Sequence, residues 1–157
     1  MGLYAAATSV SSEKSKAEIE GTLERYGAEK FMRGWDSSGA IICFVHNGRG
    51  IKFHLPLPDK SSKEFVMTPG GKKERSIEDQ RKAWEQACRQ RWRALALVIK
   101  AKLEAVETGI TSFEEEFLAH FVLDGGETIG QTLIPRLPNL HRSDLRLLLA
   151  PPGKNGG

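Results

Sequence analysis

Apolar positions change their spacing several times along this chain, and each change marks an element. Between residues 11 and 26, Ala17, Ile19, Leu23 and Tyr26 form a modest helical edge, with Ser11 or Ser12 placed to cap it and Gly27 to end it. The spacing then becomes alternating. In "EKFMRGW", Phe31 and Trp35 fall on one side of a strand, and Asp36 to Gly39 reads as a turn. "AIICFVHNGRGIKFHLPLP" follows, with Asn47-Gly48 between two apolar runs, the favoured pair for a tight turn needing positive φ at both positions. A two-residue turn sets the register: Phe44 faces Ile51, Ile42 faces Phe53 and Ala40 faces Leu55 on the core side. Cys43 opposite Lys52 and Ile41 opposite His54 then make a half-polar second face.

Pro56 and Pro58 stop the sheet, and "DKSSKEFVMTPGGKKER" reads as a basic, glycine-containing loop of a kind that often moves. The period then becomes helical for the rest of the ordered chain. Ser76 with Asp79 starts a helix that ends at Thr108 and Gly109, about 48 Å long at 1.5 Å per residue. Ile77, Trp84, Cys88, Trp92, Leu95, Ile99, Leu103 and Val106 share its apolar stripe. Thr111 or Ser112, with Glu114 or Glu115, marks a second capping box and a short helix over "FEEEFLAHFV". The pattern predicts an α+β domain over 11–135: an N-terminal helix, a three-stranded antiparallel sheet, a long helix packed on it and a short C-terminal helix. Residues 1–10 read as a flexible tail and 136–157 as a poorly ordered one.

Charge changes this picture at one place. The chain of 157 residues carries 23 Lys and Arg against 20 Asp and Glu, a balance of +3 too small to imply a polyanion by itself, so placement decides. Lys82, Arg89, Arg93 and Lys100, at spacings of seven, four and seven, keep one azimuth on the long helix, about 120° from the centre of the stripe. The acids Glu78, Glu104 and Glu107 lie towards the helix ends, which leaves the middle of the row uncompensated. Lys72 and Lys73 in the preceding loop, with Arg75, and Arg49 and Lys52 in the hairpin, extend the same surface in this reading. The row spans about 27 Å, enough to track about four phosphates of an extended strand. Trp84 and Trp92 sit on the apolar stripe and read as core residues before they read as base-stacking ones.

Other chemistries find less support. There is no phosphate-binding loop or dinucleotide turn, and no cofactor is expected. His46, His54, His120 and His141 have no metal-ligand spacing, and no metal is expected. "FEEEF" offers Glu114 to Glu116 to a metal-dependent nuclease only if partners come from elsewhere, and first-turn acids beside a helix dipole explain it more simply. Cys88 lies on the stripe and reads as packed; Cys43 shares a sheet face with His54 but lacks a third orienting group. The two cysteines predict no disulfide. The start "MGLYAAATSV" has neither a leader pattern nor the hydroxyl residue of a myristoylation signal. The longest apolar run, Ala94 to Ile99, is far below the roughly 20 residues of a membrane helix. A cytoplasmic, reduced protein is the expectation.

"WEQACRQRWRALALVIKAKLEAV", with "GITSFEEEFLAHFVL" after it and "LPLPD" before it, resembles a family of small uncharacterised proteins encoded by bacteriophages and prophages, over most of residues 11–130. That resemblance implies a phage or mobile-element setting and carries no catalytic residues. The element order is similar to that of double-stranded RNA-binding domains, whose second-helix lysines Lys72 and Lys73 resemble, although here they precede the helix. Sheet against long helix also resembles phage single-strand annealing proteins, which bind DNA along a basic groove. These resemblances and the row together imply a non-enzymatic nucleic-acid-binding protein, with single-stranded DNA in phage recombination or replication first. The alternative is a phage-encoded interaction module acting on a host protein. Self-association is left open.

Overall fold

A computed structural model describes residues 10–139 and Gly153. The two predicted tails therefore lie mainly outside the described residues, although Val10 and residues 136–139 already belong to helical segments. The expected α+β arrangement is what the chain adopts: helix α1 (Val10–Arg25), strands β1 (Lys30–Asp36), β2 (Gly39–His46) and β3 (Arg49–Pro56), a single turn α2 (Lys63–Val66), the long helix α3 (Ile77–Glu107), then α4 (Phe113–Phe117) and α5 (Ile129–Leu133).

The sheet is antiparallel in the order β1-β2-β3. Its hairpin has the predicted register, Phe44 to Ile51, Ile42 to Phe53 and Ala40 to Leu55. Asn47 and Gly48 take φ of 49° and 73°, the left-handed pair that matches the twist of the flanking strands. At the β1–β2 turn the Asp36 carboxylate accepts from the Ser38 hydroxyl at 2.6 Å, the Ser38 amide at 2.8 Å and the Gly39 amide at 3.1 Å. Those bonds, the Ser38 hydroxyl first, hold its carboxyl below the usual carboxylate range.

α3 and Phe117 of α4 pack on the sheet face that carries Ile42, Phe44, Ile51 and Phe53, all buried, and α1 packs along α3. Ser76 Oγ caps α3 by accepting from the Asp79 amide at 3.2 Å, and Gly109 follows its end at φ 78°. Trp84, Cys88, Trp92, Leu95, Ile99 and Leu103 are buried as the stripe predicts, and Val106 is partly so. Ile77 departs from the stripe: it is 85% exposed, because the first turn of α3 has no apolar surface opposite it. Ala96 joins the core instead, on the side where α1 packs.

α1 starts at Val10, so neither Ser11 nor Ser12 caps it; Ser12 is buried inside the helix, and its hydroxyl has no hydrogen-bond partner among the described residues. Gly27 at φ 93° ends it as expected, with the Ala28 amide donating to Leu23 O at 2.9 Å. Ile19 and Leu23 are buried and Ala17 is exposed. Lys16 Nζ lies 4.9 Å from the Trp92 ring centre, while Tyr26, just past the other end of α1, faces Glu107 near the end of α3. The two helices thus run in the same direction.

The basic loop is more built than predicted. Phe65 of α2 is buried, Met67 and Glu74 form a bridge, and the Thr68 amide donates to Lys73 O at 2.7 Å. The Trp84 indole N–H donates to Pro58 O at 2.8 Å, which fastens the start of this loop to α3. The C-terminal segment also differs from a single helix over 113–122. Its Ser112–Glu115 capping box forms as expected, but α4 stops at Phe117 and a 3-10 turn, Leu118–His120, follows. The chain then runs along β3, with Phe121 bridging Ile51 and the Val122 amide donating to Gly50 O at 2.9 Å. Covering that strand edge satisfies backbone groups that a longer helix leaves open.

His120 in this turn stacks on Phe53 at 3.9 Å. Burial first, then the Lys102 charge, hold its imidazole below the ordinary 6.5. The fold therefore keeps His120 neutral, while the unfolded chain takes up a proton near 6.5. The stability it contributes is complete above that pH and declines as pH falls through it towards the lower folded value. Melting temperatures followed from about pH 7.5 to 5 should fall less steeply in His120→Gln than in the parent. An identical slope in both proteins removes His120 as a source of acid sensitivity.

Candidate nucleic-acid interface

The row on α3 stands on the solvent side. Lys82, Arg93 and Lys100 are exposed and Arg89 is half-buried. Lys82 Nζ lies 3.6 Å from Glu78, and Arg89 donates through Nε to Gln86 Oε1 at 3.0 Å. Arg93 and Lys100 have no ion pair among the described residues. Lys72 and Lys73 are exposed at the tip of the loop that leads into α3, held there by the Thr68–Lys73 backbone bonds and by Gly70 and Gly71 at φ 88° and 69°.

Arg49 and Lys52 do not join that row. Lys52 pairs with Cys43 in the register, on the sheet face opposite the one α3 covers, and its ammonium donates to Gly126 O. Arg49 reaches Glu114 at 3.2 Å and lies 5.8 Å from the Phe121 ring, at the hairpin end of β3. The pleat that pairs Lys52 with Cys43 on the second sheet face also carries it away from α3.

α1 adds a neighbour that reading the long helix alone misses. It flanks the row between Trp92 and Glu107 and carries Glu13, Glu18, Glu20 and Glu24 against Lys14, Lys16 and Arg25. Three of these glutamates turn towards β1, where Glu13 meets Arg33 and Glu20 and Glu24 border a cavity with Lys30 and Phe31, so they do not face the middle of the row. Trp84 and Trp92 are 1% and 3% exposed, so neither offers a face to a base. Trp35 does, at 56% exposure. It borders a cavity of about 130 Å³ together with Glu13, Lys16, Arg33, Leu57 and Trp92. There one carboxylate, Glu13, holds two cations, Lys16 at 3.2 Å and Arg33 at 3.4 Å. Burial lowers the affinity of the Lys16 amine for its proton, against the Glu13 bond. Nothing in the sequence marked Lys16 beyond the three-residue spacing from Glu13, since its burial depends on the packing of α1 on α3.

The three carboxylates of α4 are separately engaged. Glu114 goes to Arg49, Glu115 caps α4 and Glu116 bonds Lys102 at 3.1 Å, so the three carboxylates do not converge. No group of three metal-ligating side chains occurs among the described residues. Burial pushes the Cys43 thiol up, and the Cys88 thiol up to about 11. His54 is bonded to the Ser38 hydroxyl at 2.9 Å, in the turn that Asp36 organises. No helix among the described residues is long and apolar enough to cross a membrane. Comparison with protein-family models, with curated proteins and with solved structures gives no match.

Proposed function

We propose that this chain is a non-enzymatic, cytoplasmic nucleic-acid-binding protein, with single-stranded DNA in phage recombination or replication as its ligand. The observation that carries the reading is the solvent-facing row Lys82, Arg89, Arg93 and Lys100, in which Arg93 and Lys100 keep no ion pair among the described residues. Cations at one azimuth of a straight helix meet successive phosphates without unwinding or reading bases. With Trp84 and Trp92 buried, α3 supplies no stacking platform, so its binding is sequence-indifferent and electrostatic.

Four phosphate contacts give a logarithmic salt slope near −2.8 for a single strand, a loss of roughly fifty-fold in affinity between 50 and 200 mM salt. Arg89→Glu with Arg93→Glu should weaken binding to every oligonucleotide sequence about equally, and should cut the salt effect to roughly sevenfold. Both side chains lie off the core stripe, so circular dichroism should show an unchanged fold. No binding by the parent at low salt, or undiminished binding by a folded double variant, overturns the proposal. A second reading, an interaction module for a host protein, draws on the outward face of α3, where Leu97 and Val98 are 54% and 45% exposed.

A further inference from the structure

The outward face of α3 is apolar over its second half. Ala94, Leu97, Val98 and Ala101 are all exposed and fall within about 100° of arc, centred about 150° from the buried stripe. A contiguous apolar patch with a polar rim marks a contact surface. Alanine at 94 and 101 lets a second helix approach closely between the larger Leu97 and Val98.

The charges around the patch select what covers it. Arg91 and Arg93 stand before it and Glu104 and Glu107 after it, all exposed. A parallel copy of the helix sets arginine beside arginine. An antiparallel copy centred between Leu97 and Val98 sets Leu97 on Val98 and Ala94 on Ala101. It also places Arg93 of one helix on the same flank as Glu104 of the other, about 3 Å apart along the axis. Arg91, on the opposite flank, meets the Lys102–Glu116 ion pair, which is neutral as a unit. Lys100 lies about 110° from the patch centre and keeps its charge in water.

We propose that α3 pairs with α3 of a second copy of this chain, antiparallel about a two-fold axis between Leu97 and Val98. The contact is small and the dimer correspondingly weak, in the micromolar range or above. The two-fold places the basic rows of both copies on the same side of the pair, although the pairing itself needs no nucleic acid.

Sedimentation equilibrium of the full chain without oligonucleotide, over about 1 to 200 µM, tests this. The parent should pass from monomer to dimer, and Leu97→Glu should stay monomeric with an unchanged circular dichroism spectrum. Arg93→Glu and Glu104→Arg should each weaken dimerisation about tenfold, and the two together should restore it, because each reversed charge again meets its opposite across the two-fold. A parent that stays monomeric, a Leu97→Glu variant that dimerises as well as the parent, or a double reversal no stronger than the single ones overturns the proposal. The mass is read with no nucleic acid present and Leu97 lies off the basic row, so failure of the pairing leaves the proposed function untouched; because Arg93 serves both surfaces, Leu97→Glu and not the charge reversals separates the two readings.

Discussion

Gly39→Ala should destabilise the protein by at least about 3 kcal/mol, more than any surface change tested beside it. A Cβ at this position lies 2.2 Å from the Leu55 carbonyl oxygen and 3.0 Å from the Leu57 amide. Both are backbone atoms, so no side chain can turn aside to make room. Gly39 is also the first residue of β2 and pairs with Pro56, the last of β3, so relief requires opening the β2–β3 ladder from that end. Gly21 is the matched control: it sits inside α1 with nothing within 4 Å of a built Cβ. Gly21→Ala should stabilise by about 0.5–1 kcal/mol through helix propensity. Urea unfolding of the two variants reads both effects. A Gly39→Ala protein within about 1 kcal/mol of the parent contradicts the close approach of β2 and the chain after β3.

Phe117→Ala should cost about 3–5 kcal/mol, as expected for a fully enclosed aromatic ring. Phe117 has no exposed surface; it meets Phe44 and Phe53 edge-on at 6.1 Å each and stacks on Phe113 at 4.4 Å. Lys102 Nζ lies 5.8 Å from its ring centre. The ring is the anchor that holds α4 and the segment after it against β3. Its loss should therefore do more than leave a cavity: the Val122 amide, bonded to Gly50 O, should exchange with solvent much faster than the amides of β2. Denaturation gives the energy and hydrogen exchange gives its location. If Val122 keeps its protection, the anchoring role of Phe117 is wrong even if the protein is less stable.

Local chemistry explains which parts were legible beforehand. The Asn47-Gly48 turn, the Ser76 and Ser112 caps and the Gly27 and Gly109 stops each depend on a residue and its near neighbours, and the structure has all five. The buried stripe of α3 was legible because a helix packed on a sheet must turn one azimuth inward. What failed depends on contacts distant in sequence. Ile77 has the right azimuth but stands out in solvent, 85% exposed. Ser12 reads as a cap and lies inside the packed helix instead. The break at Phe117 follows from the pairing of Phe121 with Ile51, some 70 residues earlier. For the candidate site, the row on α3 was visible as spacing, but the helix that packs along α3, α1, shares no sequence neighbourhood with it. The register placed Lys52 on the second sheet face and the structure keeps it there, which is the side away from α3.

The covered edge of β3 limits how these molecules can assemble through their sheets. With Phe121 and Val122 bonded along its hairpin end, β3 presents only a broken edge, and β1 is the one full-length strand edge left unpaired among the described residues. A sheet with two open edges can add copies indefinitely and grow into a fibre. A sheet with one can meet only one other such edge, after which both are consumed and growth terminates. Lys30, Arg33 and Asp36 with Gly34 between them make β1 a poor template even for that single event. The short segment that abandons its helix after Phe117 thus acts as a chain stopper.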